Sequence, residues 1–352
     1  MAVTVRDVAA EAGVSFQLVA AVLGGKKYAH ASASTREKIQ ESARKLGYVP
    51  NASARILRGD ASRIIGVLID SRAPESMYGV LAEIEQRADE LGYRILSAQA
   101  HDNPDRLLQA YYSLKQNGVD GIISFSHDYS QFGCRLDQRL REDPKIVFVL
   151  NTDEQNPSAV DVDIRNGIIA AAGHLRSQGY RKTALLLLGN SDPDKQTLSR
   201  KKRLDGFRLE CPDGEVFFLP NLDSDLIGLE KATGKLVRGK LIPGRFDSAI
   251  AINDLLAVIL MNQLSHEGIR IPQDFGVVGC DNLPIGMFYP VKLTTLHYDR
   301  KDIARNVLAI LQDKISGKTS PVRMNLPLEL IVRESTNKNT NITSPKKGKN
   351  HD

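Results

Sequence analysis

Polar side chains follow most of the apolar runs in this 352-residue sequence. Eight runs have the length and composition of buried strands: residues 64–69, 93–98, 120–126, 146–151, 183–189, 215–220, 247–253 and 275–280. The residues at or just after their ends include Asp70, Ser71, Phe125, Ser126, Asn151, Asn253, Asp254, Asp281 and Asn282. Ligands of parallel α/β sheets bind beyond the carboxyl ends of the strands, so these side chains are candidates for lining a small-molecule cleft. Each of them could instead be a helix cap or a turn former.

The segments between these runs have the pattern of amphipathic helices. Examples are VLAEIEQRADELG, which ends at Gly92, and IIAAAGHLRSQG, which ends at Gly179. Alternating strands and helices predict an α/β fold with parallel sheets. Because the strands come in two successive sets, we expect residues 61–335 to form two lobes of doubly wound parallel sheets, with the cleft between the lobes.

The first 59 residues are basic and have a helical pattern. They hold nine Lys and Arg against four acids, a charge of +5 that equals the net charge of the whole chain. Helices are predicted over residues 5–12, 15–24 and 32–47, from apolar spacing, Ser caps and terminal glycines. Two short helices joined by a tight turn at Gly13 indicate a helix-turn-helix headpiece at residues 1–49, whose basic surface suits a polyanion. A small helical bundle with a solvated charged face would show the same pattern.

Residues 50–60 predict a linker that contains one short helix. Asn51 could cap this helix, and Ala54 and Leu57 fall on one of its sides. A helix of about eight residues is not stable alone in water, so we expect this hinge helix to form only on a template such as DNA.

Three segments, VTVRDVAAEAGVS, STREKIQESARKLGYVPN and ARILRGDASRIIGVLI, resemble the lac repressor (LacI/GalR) family of bacterial transcription regulators. The resemblance extends from residue 3 to about residue 335. It implies that the second helix lies in the major groove, where Phe16 and Gln17 take the base-reading positions, and that Leu57 enters the minor groove as a wedge. The DNA-binding residues that the resemblance implies are Thr4, Ser15, Phe16, Gln17, Lys26, Lys27, Arg36, Asn51, Ala54 and Leu57.

The recognition helix departs from the family pattern, which usually reads Thr-Val-Ser-Arg-Val-Leu-Asn. Residues 18–24 of this chain read Leu-Val-Ala-Ala-Val-Leu-Gly, so three polar positions and the arginine are gone. We therefore expect poorer direct readout of base edges, with phosphate anchoring by Lys26, Lys27 and Arg36.

The family places its effector cleft at the same strand ends. Arg203, in SRKKRLDGF, matches the family's effector-binding arginine, and Asp281 matches an acid of the usual Gly-Phe-Asp-Asp run. An Asp and an Arg that each hold two hydroxyls suit a sugar or a sugar derivative, and Phe125 and Tyr78 could stack on its ring. The usual Asn-Pro-Phe-Phe after the first strand is absent. The effector-binding residues that the resemblance implies are Asp70, Tyr78, Phe125, Asn151, Arg203, Asn253 and Asp281.

Catalytic and metal-binding motifs do not occur in the sequence. Gly317-Lys318-Thr319 resembles the end of a phosphate loop, but residue 312 is Gln rather than Gly and no strand pattern precedes it. The seven His are scattered, and Cys134, Cys211 and Cys280 have neither disulfide nor metal-ligand spacing. We expect no enzyme activity, no catalytic residue, no metal and no cofactor.

The sequence has no apolar run near 18 residues and no export pattern at its start. We therefore expect no membrane partner and a location in the bacterial cytoplasm, at the nucleoid when the protein is bound to DNA. Residues 336–352 are polar and basic and lack the leucine heptads by which some relatives become tetramers, so we expect a disordered tail and a homodimer.

These observations predict an effector-controlled, sequence-specific regulator that binds double-stranded operator DNA, most simply as a repressor. Two alternatives are open at this point. A stand-alone carbohydrate-binding protein of the periplasmic-binding type would share the two-lobed body but would have no basic headpiece. An architectural DNA binder would keep the headpiece and have a degenerate cleft.

Overall fold

The structure, a computed structural model, describes residues 3–24, 30–48, 61–70, 73–99, 104–125, 138–150, 156–189, 191–192, 197–220 and 225–338. The expected DNA contacts Lys26, Lys27, Asn51, Ala54 and Leu57, the expected effector contact Asn151, and residues 339–352 of the tail lie outside the described residues. The chain divides into two compact units. One consists of residues 1–64 with residues 117–120, and the other, called the body below, consists of residues 65–116 and 121–352.

Among its described residues the headpiece has three helices, α1 (Val5–Ala12), α2 (Phe16–Leu23) and α3 (Ala33–Leu46). Each helix begins after a hydroxyl side chain that accepts a main-chain N–H, supplied by Thr4, Ser15 and Ser32. Gly13 and Gly47 end α1 and α3 in the left-handed conformation, with φ of 64° and 65°. The three helices lie where the sequence predicts them because their ends are set by these local caps.

The core of the headpiece is small. Its buried apolar side chains, among the described residues, are Val8, Ala9, Ala12, Val19, Val22, Ile39 and Ala43. Ile39 of α3 is the largest of them and is fully buried, so it joins α3 to α1 and α2. An exposed ion pair between Lys45 and Glu11 also joins α3 to α1, with 2.6 Å from Nζ to Oε1, but surface pairs of this kind stabilise little.

Within the described residues, the body contains two six-stranded sheets. The sheet of the first lobe has the spatial order β11 (Arg323–Leu326), β5 (Ala159–Val162), β4 (Ile146–Val149), β3 (Gly121–Phe125), β1 (Ile64–Ile69) and β2 (Arg94–Gln99). The sheet of the second lobe has the order β12 (Glu329–Ile331), β10 (Thr294–His297), β9 (Gly276–Cys280), β8 (Ser248–Ala251), β6 (Thr183–Leu188) and β7 (Glu215–Leu219). Neighbouring strands run parallel wherever their register is defined, except that β10 and β12 are antiparallel. The predicted two-lobed α/β architecture is confirmed.

Helices lie between the strands in both lobes. Those of the first lobe are α4 (Glu75–Glu90), α5 (Pro104–Gln116), α6 (Gln138–Glu142) and α12 (Arg300–Ile315). Those of the second lobe are α7 (Ile164–Ser177), α8 (Leu198–Glu210), α9 (Leu226–Leu236) with a π-helical turn (Val237–Leu241), α10 (Asp254–His266) and α11 (Pro284–Phe288), and a 3₁₀ turn (Glu334–Thr336) follows β12. No helix among the described residues has the length and apolar character that a membrane crossing requires.

Each of the eight predicted runs overlaps a strand, and four further strands, β5, β10, β11 and β12, were not predicted. These four strands have three or four residues each and carry polar side chains such as Asp161, Arg323 and Glu329. Strands so short and polar have no apolar run for the sequence to show. The sheet neighbours, rather than the segments themselves, supply the pairing that makes them strands.

The chain passes between the lobes three times, after β5, after β10 and after β11. The central strands β3, β4, β6, β8 and β9 are buried on both faces, as strands of parallel sheets are expected to be. In β6, Leu185 and Leu187 pack into one core cluster while Ala184 and Leu186 pack into the other, which is the two-residue period of a strand. In these central strands, burial leaves the strand ends as the places that can present polar groups.

We predict that Ile39→Ala unfolds the headpiece while the body stays folded. Truncating a buried isoleucine costs about 2–5 kcal/mol, and a core of this size has little stability to lose. Hydrogen exchange of the full chain should show the amides of α1 to α3 losing protection while those of β3 and β6 keep it. Gln40→Ala, at the exposed neighbouring position, is the control, and equal protection of the headpiece in both variants would contradict the assignment of Ile39 to its core.

Candidate functional site

The start of α2 presents an exposed surface. Ser15, Phe16 and Gln17 are all exposed, and Phe16 keeps 48% of its surface open to solvent. The guanidinium of Arg6 lies over the Phe16 ring, 6.0 Å from its centre, at the outer edge of a cation–π contact. The Leu18 N–H donates to Ser15 Oγ at 3.3 Å. An aromatic ring and a primary amide therefore project from the first turn of a helix that is otherwise apolar.

Two other expected DNA contacts have structural partners within the headpiece. The Thr4 hydroxyl donates to Asp7 Oδ2 at 2.7 Å, and the Thr4 N–H donates to the same oxygen at 2.7 Å. These bonds lower the pKa of Asp7. The Asp7 N–H donates to the Thr4 hydroxyl oxygen at 3.4 Å, and this bond and the Thr4 N–H bond form a capping box at the start of α1. Arg36 Nε donates to the Ala31 carbonyl at 3.4 Å, just before α3. The DNA contacts expected of Thr4 and Arg36 stay predictions.

The first lobe contributes Asp70 and Tyr78 at the end of β1. Asp70 directly follows the strand and is buried. The Tyr78 hydroxyl, on α4, donates to the main-chain oxygen of Asp70 at 2.9 Å. Burial raises the pKa of Tyr78, and the negative charge of Asp70 raises it further. The structure thus brings together two residues that the sequence analysis named separately.

The second lobe contributes Arg203, whose guanidinium is inside the protein. Only 8% of Arg203 is exposed, on the buried side of α8. Its Nη1 donates to the carbonyl oxygen of Ser199 at 3.2 Å and to the Ser199 hydroxyl, and its Nη2 lies 4.0 Å from the sulfur of Cys280. Its Nε is buried and has no hydrogen-bond partner among the described residues. A buried donor without an acceptor is uncommon and has a free-energy cost, so this edge of the guanidinium is suited to a ligand oxygen.

Asp281 lies at the end of β9, next to Arg203. Its backbone has φ of 100°, a conformation that non-glycine residues rarely adopt and that marks strain at many ligand sites. Burial raises the pKa of its carboxyl group, while the charge of Arg203 and a hydrogen bond from Ser76 lower it. Ser76 is on α4 of the first lobe, so Asp281 is contacted from both lobes. The thiol of Cys280 is 3.8 Å from Asp281 Oδ1.

Arg300 is a residue of this site that the sequence analysis missed. It begins α12, directly after the chain returns from β10 to the first lobe, and its Nη2 donates to the main-chain oxygen of Asp281 at 3.3 Å. Its guanidinium also covers Gly79, where an added Cβ would lie 2.5 Å from Nη1. Ser76 was missed too. Polar residues after strand ends are ligand candidates, so Arg300 would have been among them had β10 been recognised as a strand. A serine in the first turn of a helix, such as Ser76, has no distinguishing pattern in the sequence.

Asn253 and Asp254 stabilise the local structure at the end of β8. Asn253 caps α10, since its Oδ1 accepts the Leu256 N–H at 2.9 Å. Asp254 is fully buried, and its carboxylate accepts the Thr295 hydroxyl at 2.6 Å and the Leu283 N–H at 2.6 Å. Burial raises the pKa of Asp254 to about 7 despite these hydrogen bonds. Asn253 is thus a helix cap, which is the alternative that the sequence leaves open for polar residues after strands.

Phe125 is the one expected effector contact that the structure places in the core. It ends β3 with only 1% of its surface exposed and belongs to the core cluster of Ile123 and Val149. Ser71, Ser126 and Asn151, the other polar residues at strand ends of the first lobe, lie outside the described residues. The candidate site that the described residues form combines Ser76, Arg203, Asp281 and Arg300, while Asp70 and Tyr78 contact each other at the end of β1.

Comparison with known proteins decides the family. The profile of bacterial regulatory proteins of the lacI family matches residues 4–51, and that of the periplasmic binding protein-like domain matches residues 172–336. The HTH-type transcriptional regulator DegA of Bacillus subtilis is 31% identical over 348 residues, which are 96% of this chain and 98% of DegA. The chain belongs to the LacI family.

Other members of the LacI family agree with this assignment over nearly the whole chain. The HTH-type transcriptional repressor PurR of Vibrio cholerae is 26% identical over 336 residues, 94% of this chain and 97% of PurR. The crystal structure of the lac repressor dimer bound to operator and the anti-inducer ONPF has a TM-score of 0.79 and 26% identity, and covers 96% of this chain and 99% of that chain. This LacI-family protein is a DNA-binding transcriptional regulator, as the sequence predicts.

We predict that Asp254→Asn stabilises the protein at pH 8 and has little effect near pH 4. The asparagine amide can donate to the Thr295 hydroxyl while its oxygen accepts from the Leu283 N–H, so the substitution imitates the protonated acid. The unfolded carboxyl loses its proton near pH 4 and the folded one near pH 7. Between these values the folded state alone holds the proton, so this group should lower wild-type stability by about 1.4 kcal/mol for each pH unit of increase.

Urea unfolding from pH 4 to pH 8 measures this effect as the difference in stability between the Asp254→Asn variant and the wild type. Asp213→Asn, at an exposed turn, should leave the wild-type dependence unchanged. A difference between variant and wild type that does not change with pH would show that Asp254 keeps an ordinary pKa.

Proposed function

We propose that this regulator represses transcription as a homodimer on operator DNA and that a small polyhydroxylated ligand, a sugar or a sugar derivative, controls it by binding between the lobes of the body. The observation that carries the ligand proposal is the buried Arg203 with its unpartnered Nε, placed beside the strained Asp281. Adjacent hydroxyls can accept from a guanidinium edge and donate to a carboxylate at the same time.

The first lobe supplies the other side of this site. Ser76 hydrogen-bonds to Asp281. Two residues further along α4, Tyr78 hydrogen-bonds to the main-chain oxygen of Asp70 at the end of β1. A ligand hydroxyl that bonds to Asp281 competes with Ser76 for the same carboxylate. Ligand binding therefore changes a contact between the lobes, which gives the ligand a means of altering lobe arrangement.

The DNA proposal rests on the exposed first turn of α2. Gln17 carries the donor and acceptor that pair with the major-groove edge of adenine, and Phe16 can contact a thymine methyl. Ala20 and Ala21 add no polar group, so each half-site offers few base contacts. Two headpieces of a dimer on inverted half-sites would make up for that, and the related lac repressor structure is a dimer on its operator.

Selection of bound sequences from a random DNA pool tests the operator proposal. A homodimer should select a short inverted repeat, and log affinity for it should fall linearly with log salt because phosphate contacts release counterions. An asymmetric selected site, or affinity that does not respond to salt, would contradict a dimer anchored through phosphates.

We predict that Gln17→Ala weakens binding to the selected operator by about 1–3 kcal/mol, the contribution of one bidentate base contact. The slope of log affinity against log salt should stay the same, because no phosphate contact is lost. Gln40→Ala, which removes an exposed amide from α3, should keep wild-type affinity. Fluorescence anisotropy in a salt series measures both quantities, and unchanged affinity of Gln17→Ala would remove Gln17 from the base-reading residues.

We predict that Arg203→Met weakens sugar binding by about 1.5–3 kcal/mol, the contribution of a hydrogen bond to a charged group, and keeps operator affinity in the absence of sugar. A panel of mono- and disaccharides is first screened for those that raise the melting temperature of the wild type and change its operator affinity. Lys201→Met, at an exposed position of the same helix, is the control. A panel without any active sugar, or an Arg203→Met variant that responds at the wild-type concentration, would contradict the proposed ligand class or its site.

A further inference from the structure

Lys314 is a buried lysine at the far end of α12. Only 6% of the residue is exposed, although it lies in the last turn of the helix. Its Nζ makes one hydrogen bond among the described residues, to the main-chain oxygen of Ser320 at 3.4 Å. Burial lowers the pKa of Lys314. By contrast, the exposed Lys318 forms an ion pair with Asp313, with 2.8 Å from Nζ to Oδ1.

Lys314 lines a cavity of about 380 Å³. Arg141 and Thr319 supply further polar groups to its wall, and Pro144 and Pro157 supply apolar ones. The cavity lies where β4 begins, since Ile146 is both a wall residue and the first residue of that strand. The proposed effector residues follow the carboxyl ends of strands. This cavity therefore lies at the opposite, amino-terminal end of the strands of the first sheet.

The acids of the wall already have partners. Asp143 accepts hydrogen bonds from Lys115 Nζ at 2.8 Å, from the Tyr111 hydroxyl at 2.9 Å and from the Lys145 N–H at 2.8 Å. Burial would raise the pKa of Asp143, but these bonds hold it below its usual value, so the group stays charged and paired. Glu142 accepts from the Gln138 amide. Lys314 is thus a buried positive charge beside a cavity whose nearby carboxylates are engaged elsewhere.

We infer that this cavity is a second ligand site, separate from the effector site, which binds a small anion, a phosphate or a carboxylate, through Lys314 with Arg141 and Thr319. A buried ammonium group needs a charged or strongly hydrogen-bonding partner to offset the loss of hydration, and the cavity has room for one. The apolar prolines beside the cations suit the non-polar part of an organic acid.

The site is coupled to the effector site by position. Arg300 and Lys314 are the first and next-to-last residues of the same continuous helix, about 21 Å apart at 1.5 Å per residue. The Arg300 end contacts Asp281, and the Lys314 end forms the cavity. An anion at Lys314 therefore binds to the same rigid element that contacts the effector site.

Thermal unfolding of the full chain in rising concentrations of inorganic phosphate, and separately of acetate, tests this inference, with sodium chloride at equal ionic strength as the reference. A ligand that binds only the folded state raises the melting temperature in proportion to the logarithm of its concentration above Kd. We expect such a rise for at least one anion in the wild type. Lys314→Met should weaken the apparent affinity at least tenfold, while Lys318→Met should keep it.

Lys314→Met should fold, because it replaces a buried charge by an apolar chain of similar length, and in chloride alone it should be at least as stable as the wild type. Arg141→Gln is a second variant, which should weaken anion binding without removing Lys314. A response to phosphate alone identifies a phosphoryl ligand, and a response to acetate alone identifies a carboxylic acid. No response beyond that of chloride, or an equal response in Lys314→Met and Lys318→Met, would overturn the inference. Neither sugar nor DNA enters the experiment, so its outcome is independent of the proposed function.

Discussion

Charged groups held out of water at the ends of the second-lobe strands are the constraint on which this structure depends. Asp254 has no exposed surface, and Arg203 has little. Burial raises the pKa of both Asp254 and Asp281, and hydrogen bonds and nearby arginines offset part of that cost. The backbone must come close to supply them, and a Cβ on Gly279 would lie 2.2 Å from Asp254 Oδ1. Glycine at that position lets β9 pass the carboxylate, and the left-handed backbone of Asp281 then turns the chain out of the strand.

The sequence predicts the fold well where the signals are local. Apolar runs indicate the long central strands because both faces of a parallel sheet are buried, and caps such as Ser15 and Gly47 fix helix ends within a few residues of themselves. The strands β5, β10, β11 and β12 have no such signal, since pairing with neighbours distant in the sequence makes them strands. Missing β10 has a functional consequence, because Arg300, which follows it, was not recognised as part of the site.

The site is less predictable than the fold because a polar residue type does not say what its side chain contacts. Asn253 follows a strand, as a ligand contact would, and its oxygen caps α10. Thr4 has the hydroxyl of a DNA contact, and its hydroxyl oxygen accepts the Asp7 N–H in a capping box. Phe125 ends a strand, yet its ring turns into the core. Arg203 and Asp281, in contrast, are close in space although 78 positions separate them in the chain, and no local pattern in the sequence indicates that they meet.

The contact between Ser76 and Asp281 gives the proposed effector response its physical basis. A ligand shifts a conformational equilibrium only by its difference in affinity between the two states. If the ligand takes the Asp281 carboxylate from Ser76, the arrangement that depends on that bond loses it, while the arrangement that holds the ligand gains the partner that Arg203 Nε lacks. In the proposed mechanism this exchange favours one lobe arrangement over the other. Arg300, the first residue of α12, contacts Asp281 and covers Gly79 of α4, so it lies where the exchange would act. A side chain larger than glycine at residue 79 would displace the guanidinium, so the close approach of α4 and α12 positions Arg300 in the proposed effector site.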